Sequence, residues 1–368
     1  MARTPVTFAL VAFLAAAGPA AQNSRASSPA AKGLTAVAGL RVGHFTLSER
    51  PTGCTVVLVD GTGATGGVSQ RGGAPGTRET DLLNPLNMVD RVNAIVLSGG
   101  SAYGLDAAQG TVRFLEERGI GWRVGASGVV PIVPSAILFD LGFGGNAKIR
   151  PTADCGYKAA QAATDAAVRE GNIGAGAGAT VGKLGGGGAM KAGIGSAARV
   201  MPNGLVVAAI VAVNAVGDIV DPETGRLVAG VRSPDGKRLL DARQLLRSGA
   251  LLRGQTPAPG QNTTIAIVAT NARLDKAQAT RMALMADDGL ARAIVPSHTL
   301  GDGDTVFALA TGRITENVDV NVIGALAADA LAEAIVRAAV LAEGLGGLPA
   351  ARDLGTVPER LRAEIATK

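Results

Sequence analysis

The sequence has few aromatic residues, which make up 3% of its 368 positions, whereas glycine alone fills 52 of them. The core must therefore consist of Ala, Val, Leu and Ile side chains, with backbones that approach one another closely at glycines. Charged residues are also scarce, at 18%, and the net charge of +5 is scattered along the chain. No Lys/Arg block is interleaved with aromatic residues, which argues against nucleic acid as a partner.

Histidine and cysteine are nearly absent, with two of each. His44 and His298 lie far apart in the sequence, and neither Cys54 nor Cys155 has the His and Cys neighbours of a zinc site. We therefore expect no metal and no other cofactor. Both cysteines stand in apolar surroundings, which favours two buried thiols, although export would permit a disulfide between them.

Long hydrophobic runs are absent beyond the N-terminus, because glycine or a charged residue interrupts each later run. At the N-terminus, Arg3 precedes the apolar segment 8–17, and small residues follow it. This pattern is typical of a secretory signal peptide and is too short for a helix that spans a membrane. We expect a signal peptide over 1–21, a polar linker over 22–35 and a single domain over 36–368. The mature protein would be periplasmic or secreted, with no attachment to the membrane.

Apolar runs without strict alternation predict strands in sheets that are covered on both faces. The clearest runs lie at 55–59, 93–97, 205–214, 263–272 and 305–310. Helices are expected at 105–117, 157–169, 238–253, 274–293 and 323–342, and a glycine-rich loop at 60–80. Two packed sheets with helices on each outer side, a four-layer α/β/β/α sandwich of the α/β (α+β) class, account for these elements. A doubly wound parallel sheet is the alternative, but strands and helices alternate too irregularly for it.

Residues 174–183 look at first like a nucleotide-binding loop. However, Leu184 occupies the position where a phosphate-binding P-loop needs Ser or Thr. The G-x-G-x-x-A pattern that begins at Gly174 follows a predicted helix and not a strand, so it does not fit a dinucleotide site. We therefore interpret this stretch as neither kind of nucleotide site.

The most informative stretch is 261–272, where a Pro/Gly-rich loop leads into a buried strand that opens with two threonines. The Thr263 hydroxyl could attack the carbonyl carbon of Asn262, and water would then cleave the resulting ester. The new N-terminal threonine would carry both a nucleophile and a base, because an α-amino group has an ordinary pKa of about 8. Thr264 is a rival nucleophile, and an ordinary Thr-rich strand is the non-catalytic alternative.

Several motifs in matching order resemble the DmpA-like peptidases, the family of the L-aminopeptidase/D-esterase and the β-peptidyl aminopeptidases. These motifs lie at 43–46, 71–80, 97–106, 174–183 and 262–265, and the likeness runs over about 39–342. The resemblance implies self-cleavage into an α chain that ends at 262 and a β chain over 263–368. It also implies a sandwich similar to that of N-terminal nucleophile hydrolases, and homo-oligomers, often tetramers of αβ units.

The resemblance also implies roles for individual residues. Thr263 corresponds to the nucleophile, which is more often serine in this family. Asn214, at the end of a long strand, corresponds to the amide that donates to the developing oxyanion. Ser101, within the motif at 97–106, is expected in the substrate pocket.

The family's supporting hydroxyl and carboxylate precede a Gly-x-Gly-Asp turn, and the corresponding residues here are Ser297 and Thr299. Because Thr299 is not a carboxylate, Asp302 within the turn is the candidate for that role. Asp304 is interpreted as an ordinary residue of a tight Asp-Gly turn.

The aminopeptidases of the family place a Glu and a Tyr after a Pro-rich strand, where they hold the free amine of the substrate. Here Phe139 corresponds to the Tyr, the Glu position has no evident carboxylate, and Ile137 adds to an apolar wall. An ammonium group buried against that wall would lack a partner, which is costly. We therefore expect an amide hydrolase whose substrate need not present a free amine.

Together these observations favour a self-processing N-terminal-threonine hydrolase, an aminopeptidase or amidase that cleaves small peptides or amides through an acyl-enzyme on Thr263. Two alternatives remain open. One is a non-catalytic, exported protein that binds small molecules. The other is an acyltransferase that uses the same threonine.

Overall fold

The computed structural model describes residues 29–186, 188–249, 262–314 and 316–366. The expected signal peptide lies outside these ranges, as does the expected linker up to residue 28. The rest of that linker is not extended: Pro29–Ala36 forms two short 3-10 turns joined at Gly33. Leu34 is fully buried, and its amide donates a hydrogen bond to Ser196 Oγ at 2.9 Å. The folded domain therefore begins before residue 36.

The regular elements fall into short strands and a few longer ones, with helices between them. In chain order the strands are β1 (Leu40–Thr46), β2 (Gly53–Val59), β3 (Ala64–Gln70), β4 (Thr77–Arg78), β5 (Arg91–Val92), β6 (Ala94–Ser98), β7 (Trp122–Arg123), β8 (Val129–Val130), β9 (Ser135–Ile137), β10 (Thr180–Val181), β11 (Met190–Lys191), β12 (Ile194–Val200), β13 (Val206–Asn214), β14 (Asp218–Val220), β15 (Leu227–Ala229), β16 (Thr263–Ala272), β17 (Ile294–Val295) and β18 (Thr305–Ile314). The α-helices are α1 (Ala107–Glu116), α2 (Ala153–Gln161), α3 (Ala242–Arg247), α4 (Lys276–Ala286), α5 (Asp288–Ala293), α6 (Val320–Val340) and α7 (Arg362–Ala366).

Two sheets form the centre of the molecule. Sheet A has the strand order β1-β2-β6-β9-β4, and sheet B has the order β12-β13-β16-β18-β3-β5. Most neighbouring strands are antiparallel, and the parallel pairs are β6 with β9 and β16 with β18. The remaining strands form small sheets of two or three strands.

The hydrophobic core is divided into three layers of buried side chains. The middle layer lies between the sheets and contains Ile210, Ile265 and Ile267 of sheet B facing Val57 and Leu97 of sheet A. A second layer joins sheet B to α4, α5 and α6, and a third joins sheet A to α1 and α2. The prediction of an α/β/β/α sandwich is thus confirmed, and the doubly wound alternative is wrong because the strands belong to two facing sheets.

The glycine-rich segment 60–80 is not only a loop, because it contains β3 in sheet B between β18 and β5. The reason lies in its close contact with a helix. A Cβ atom on Gly67 would lie 2.5 Å from backbone atoms of Ala279 and Thr280 in α4. Glycine is needed here so that the helix can pack directly on the strand backbone, and the usual apolar pattern of a strand is lost.

Three helix predictions need correction. The helix expected over 274–293 is broken at the buried Asp287 into α4 and α5, and the helix expected over 157–169 ends at Gln161. The charged segment 238–253 contains only the short α3, and its last residues lie outside the described ranges. By contrast, the apolar periodicity over 323–342 corresponds well to α6. None of the described helices is long and apolar enough to cross a membrane.

The two cysteines form a disulfide, so the expectation of two buried thiols is wrong. Cys54 lies on the outer face of β2, and Cys155 lies on the inner face of α2, which packs against that sheet. Their Cα atoms are 6.2 Å apart although the residues are separated by 101 positions in sequence. The apolar surroundings noted in the sequence are those of the interface between the helix and sheet A.

Candidate active site

The site is built on the pairing of two central strands of sheet B. β13 ends and β16 begins at the same edge, and the antiparallel register places Asn214 directly opposite Thr263. Both residues are buried, with 0% and 2% of their surface exposed. The oxyanion-hole residue and the nucleophile expected from the sequence thus form a directly opposed cross-strand pair.

Strand alternation distinguishes the two threonines. Successive side chains on a strand point to opposite faces, so Thr263 shares the face of Ile265 and Ile267, between the two sheets. Thr264 shares the face of Ala266, which packs against the helix layer. Of the two rivals, only Thr263 faces the space between the sheets, the face that Asn214 also shares with Ile210.

The peptide bond between Asn262 and Thr263 is held from two sides. The carbonyl oxygen of Asn262 accepts a hydrogen bond from the Gly303 amide at 2.9 Å and another from the Thr263 hydroxyl. A Cβ atom on Gly303 would lie 2.8 Å from Thr263 Oγ1 and 2.6 Å from the Ala74 carbonyl oxygen. Position 303 therefore needs glycine, because the backbone approaches the nucleophile this closely.

Asp302 lies beside the same peptide, bridged to Asn262 through the backbone. Its Oδ2 atom accepts hydrogen bonds from the Thr299 amide at 3.0 Å and from Thr299 Oγ1 at 2.6 Å. Burial raises the pKa of Asp302, and the neighbouring charge of Asp304 raises it further. Thr299 therefore holds the carboxyl group in place, while Asp302 is the residue that supplies it.

Ser297 and Asp304 differ from their sequence assignments. Ser297 is half-buried, and in the described part of the chain its hydroxyl forms no hydrogen bond with Thr263, Asn214 or Asp302. Asp304 is more than a turn residue, because its Oδ1 atom accepts a hydrogen bond from the Thr264 amide at 2.8 Å. It thereby fixes the backbone immediately after the candidate nucleophile.

The side-chain amide of Asn214 has a defined orientation. Its Oδ1 atom accepts hydrogen bonds from Lys183 Nζ at 2.8 Å, the Thr180 amide at 3.1 Å and Thr180 Oγ1 at 3.3 Å. Its Nδ2 atom donates to the Phe139 carbonyl oxygen at 2.8 Å. Because an amide nitrogen has two N–H groups, one remains to donate to a ligand in the site.

Lys183 also belongs to the candidate site, and the sequence interpretation missed it. Although the residue is only partly buried, its amine end is enclosed, and this burial lowers its pKa to about 7 against the opposing charges of Asp302 and Asp140. Its Nζ atom also donates to the Asn214 carbonyl oxygen at 3.2 Å. The signal in the sequence was a lone lysine in the glycine-rich stretch 174–183 that fitted no nucleotide loop.

The expected pocket residues lie on and after β9. Ile137 is buried, and Phe139, which is half-buried, contributes its backbone carbonyl to the position of Asn214. Ser101 adopts a left-handed backbone conformation with φ of 55°, and its amide donates to the Leu138 carbonyl at 3.0 Å. The next carboxylate along the chain, Asp140, forms a buried ion pair with Arg50.

Within the described ranges, no group of three or more His, Cys, Asp or Glu side chains is placed to hold a metal ion. A buried hydroxyl lies beside a polarised peptide carbonyl, an oriented amide lies opposite it, and a carboxylate and an amine lie within the same cluster.

Comparisons with known protein sequences agree with this geometry. The model of peptidase family S58 matches residues 32–351. A Mycobacterium leprae protein named as an uncharacterized aminopeptidase is 44% identical over 353 residues, which covers 86% of this chain and 92% of that protein. A 6-aminohexanoate-oligomer endohydrolase of Kocuria sp. is 32% identical over 278 residues, covering 75% of this chain and 74% of the endohydrolase.

Solved structures with the same fold include a Burkholderia sp. β-aminopeptidase, with a TM-score of 0.64 and 24% identity over 90% of this chain and 94% of that one. They also include the L-aminopeptidase D-Ala-esterase/amidase of Ochrobactrum anthropi, with a TM-score of 0.66 and 21% identity over 91% and 94% of the two chains. The latter is described as a variant of the Ntn hydrolase fold. At these identities the structural likeness concerns the fold alone.

Proposed function

The chain belongs to peptidase family S58, and from that premise we propose that it is a self-processing amide hydrolase whose nucleophile is Thr263. Family membership makes it a hydrolase of the peptidase/amidase type on an N-terminal nucleophile fold. The identity of the nucleophile and the self-cleavage are our proposal. The observation that carries it is the peptide between Asn262 and Thr263, where the Thr263 hydroxyl and the Gly303 amide meet at the same carbonyl oxygen.

In the proposed self-cleavage, Thr263 Oγ1 forms a bond to the carbonyl carbon of Asn262, and the C–N bond between the two residues breaks. The hydroxyl proton passes to the departing nitrogen, so that an ester joins the two residues. Water then cleaves the ester, leaving a carboxylate on Asn262 and a free α-amine on Thr263. The Gly303 amide acts as the oxyanion hole for this step, since it donates to the oxygen on which negative charge develops.

In turnover, the α-amine of Thr263 accepts the proton of its own hydroxyl while Oγ1 attacks the carbonyl carbon of the substrate. The proton then passes to the leaving amine, and the acyl group stays on Oγ1 until water hydrolyses it. The remaining N–H of Asn214 donates to the developing oxyanion, an interaction typically worth about 3 kcal/mol. Lys183 and Thr180 hold that amide in its orientation.

The surroundings of Phe139 support substrates that need no free amine. Ile137 is apolar, and Asp140 is already paired with Arg50. Glu79 contacts the segment before β9, where its Oε2 atom accepts a hydrogen bond from the Val133 amide at 3.2 Å. An acylated or internal amide loses little hydration against an apolar wall, whereas an ammonium group loses much.

We therefore propose small acylated or internal amides as substrates. Relatives named as 6-aminohexanoate-oligomer endohydrolases support this choice, whereas the more similar relatives are named as aminopeptidases. The deciding measurement is the ratio of kcat/KM values for one amide with its amine free and with its amine acetylated. We expect the acetylated form to be cleaved at least as well. A tenfold preference for the free amine, about 1.4 kcal/mol, would contradict the proposal, and Glu79→Gln would then show whether Glu79 holds the amine.

Substitution of Thr263 tests the nucleophile itself. Thr263→Ala is expected to remain a single chain without turnover, because it lacks the attacking hydroxyl. Thr263→Ser is the matched control and should still be cleaved and active, since it keeps that hydroxyl. A denaturing gel and N-terminal sequencing of the smaller fragment are the measurements. Turnover by an intact Thr263→Ala chain, or a fragment that begins elsewhere, would contradict the mechanism, and an uncleaved, inactive wild-type chain would favour a binding protein.

We also propose that the mature protein is exported and assembles as a homo-oligomer, in the form of a tetramer of αβ units. The disulfide between Cys54 and Cys155 supports export, because disulfides persist mainly in oxidising compartments. Mass spectrometry of the cellular protein tests export, with a mature N-terminus expected between Ala20 and Ser28. Sedimentation of the purified protein tests the assembly.

A further inference from the structure

A second polar cluster lies directly behind the candidate nucleophile. His298 Nδ1 is 3.0 Å from Asp304 Oδ2, and His298 Nε2 is 3.5 Å from Asp287 Oδ1. Ser69 Oγ donates to the other oxygen of Asp287 at 2.6 Å. Asp304 in turn accepts the hydrogen bond from the Thr264 amide. A continuous chain of polar contacts therefore runs from the break between α4 and α5 to the residue that follows Thr263.

The backbone of His298 is also held in an uncommon conformation. Its φ is 56°, in the left-handed region that residues other than glycine rarely adopt. Its own amide donates to Asp304 Oδ2 at 3.0 Å. A conformation of this kind persists when the surrounding contacts determine it, and here both the amide and the ring of His298 are directed at one carboxylate.

A cation is favoured in this cluster. Asp287, Asp302 and Asp304 are at most 2% exposed, and buried like charges repel one another strongly. Burial raises the pKa of Asp287, and the nearby charge of His298 opposes that rise because it stabilises the ionised carboxylate. The other charged groups that face the cluster are few. Arg71 Nε lies 3.5 Å from Asp287 Oδ2, but that arginine is 43% exposed and is shared with Asp288.

The remaining cation near the carboxylates, Lys183, acts on Asp302 and is bonded to Asn214, on the other side of the nucleophile. In the described part of the chain, the charged groups facing the His298 ring from its neighbouring elements are therefore Asp287, Asp304 and Arg71. His298 is therefore the group that lies between Asp287 and Asp304 and can balance their negative charges.

We propose that His298, in its protonated form, is a positioning residue that ties Asp304 to Asp287 and so fixes the backbone behind the Thr263 nucleophile. The inference rests on the proposed role of Thr263. It adds a residue that touches neither the substrate nor the reacting atoms but acts through Asp304.

The geometry has a consequence for pH. Burial lowers the pKa of His298, but the negative charges of Asp304, 3.0 Å from Nδ1, and of Asp287 outweigh burial, so the net pKa is raised above the usual 6.5. The stabilisation is then fully present below pH 6.5 and is lost as the pH rises through the folded-state pKa. Positioning by His298 should therefore fail as the pH rises through that folded-state pKa, which lies above 6.5.

The sequence offers a matched control, because it contains only one other histidine, His44. His44 Nδ1 lies 2.9 Å from Thr55 Oγ1 in sheet A, and burial lowers its pKa to about 4. His44 is thus neutral at the pH values at which His298 titrates. The two rings are expected to give two well-separated titrations in NMR spectra of untagged, histidine-labelled protein, and His44→Asn assigns them.

The experiment combines this NMR titration with pH profiles of self-cleavage and turnover for wild type, His298→Asn and His44→Asn. We expect a His298 pKa above 6.5, a rate for His298→Asn at least tenfold below wild type at pH 6.5, and loss of the alkaline decline in that variant. His44→Asn should keep the wild-type profile. A His298 pKa at or below 6.5, or a His298→Asn variant with wild-type rates and an unchanged profile, would overturn the proposal.

A second variant covers the case in which His298→Asn does not fold. Asp287→Asn retains an acceptor for Ser69 and removes one of the two negative charges on the ring. It should lower the pKa of His298 and move the alkaline decline to lower pH, and the absence of both shifts would overturn the inference.

The Thr263→Ala variant separates the two proposals, because it should be inactive while the pKa of its His298 remains raised. If Thr263→Ala is active, the proposed function fails, whereas a His298 pKa that is not raised defeats only the positioning role.

Discussion

Two buried ion clusters flank the candidate site, and they differ in the cation that neutralises them. Next to Phe139, Arg50 and Asp140 pair at 2.8 Å with both side chains fully inaccessible. Behind Thr264, His298 lies between two carboxylates. An arginine stays charged throughout the pH range in which proteins fold, whereas a histidine changes charge near neutrality. The charge of the first cluster is therefore independent of pH in this range, whereas the charge of the second cluster changes with pH.

The Arg50 cluster also has more hydrogen bonds to the backbone. Arg50 donates to the carbonyl oxygens of Phe143 at 3.0 Å and Ile149 at 2.9 Å, and Asp140 accepts from the Gly100 amide at 2.9 Å. These bonds join the loop after β9 to the turn after β6. A pair with its hydrogen-bonding capacity used in this way has a structural role, and it leaves Asp140 unavailable to a substrate amine.

The largest effect is expected for Arg50→Met. It leaves the Asp140 charge buried without a partner, which should lower the free energy of unfolding by about 3–5 kcal/mol. Arg41→Met is the matched control, because Arg41 pairs with Asp60 at 2.9 Å with both side chains more than a third exposed. That change should cost less than about 1 kcal/mol. Urea unfolding of both variants in the uncleaved Thr263→Ala background measures the two losses, and equal losses would contradict the structural role of the buried pair.

Asn214→Ala should have the next largest effect. We expect it to slow turnover without slowing self-cleavage. Turnover is expected to drop by about a hundredfold or more, because the amide that donates to the oxyanion is removed. Self-cleavage should continue, since the Asn262 carbonyl is held by the Gly303 amide and not by Asn214. Steady-state kinetics test the expected loss of turnover, and the rate of chain cleavage tests whether self-cleavage continues. Normal turnover would mean that other donors hold the oxyanion, and loss of cleavage would mean that both steps share one donor.

Lys183→Met should have a smaller effect, about tenfold in kcat with little change in KM. Asn214 Oδ1 would lose one donor but keep the two that Thr180 supplies. Lys158→Met is the matched control, because Lys158 forms an exposed pair with Asp154. A loss in kcat as large as that of Asn214→Ala would show that Lys183 takes part in the chemistry directly.

Lys183 and His298 should also affect stability with opposite signs. The pKa of Lys183 is lowered to about 7 in the folded protein from its ordinary 10.5, so between these values the unfolded chain binds more protons and stability rises with pH. The raised pKa of His298 has the reverse effect above 6.5. Lys191 is also buried and has a pKa lowered to about 7, so Lys183→Met should lose only part of the rise, whereas His298→Asn should lose the fall. Urea unfolding from pH 6 to pH 9 of uncleaved chains, in the Thr263→Ala background, measures both. Parallel curves for the two variants would contradict this assignment.

Sequence reasoning singled out residues whose neighbours in the chain already suggest their chemistry. Thr263 follows Asn262 at the start of a strand and Asn214 ends another, so the local pattern and the family motifs led us to predict roles for both, and these roles stay predictions. The layers of the fold were predictable for the same reason, since apolar runs indicate sheets that are covered on both faces.

Residues whose partners are distant in the chain could not be found in this way. Asp287, at the junction of α4 and α5, bonds to Ser69, 218 positions away. Lys183 reaches Asn214 across 31 positions, and Asp304 reaches Thr264 across 40. Each of these contacts depends on how the two sheets and their helices are assembled, which local patterns do not specify.

The strand order of sheet B determines what a cut after Asn262 leaves behind. β16 and β18 come from the part of the chain after the cut, and they lie between β13 and β3, which come from the part before it. A cut would break one covalent bond and none of the strand pairings that join the two parts. The fragments would then be interlaced in a fixed one-to-one ratio, and separating them would require unfolding the sheet. Since neither fragment contains the neighbours that its central strands need, a self-cleaved molecule would have to fold as one chain before it became two.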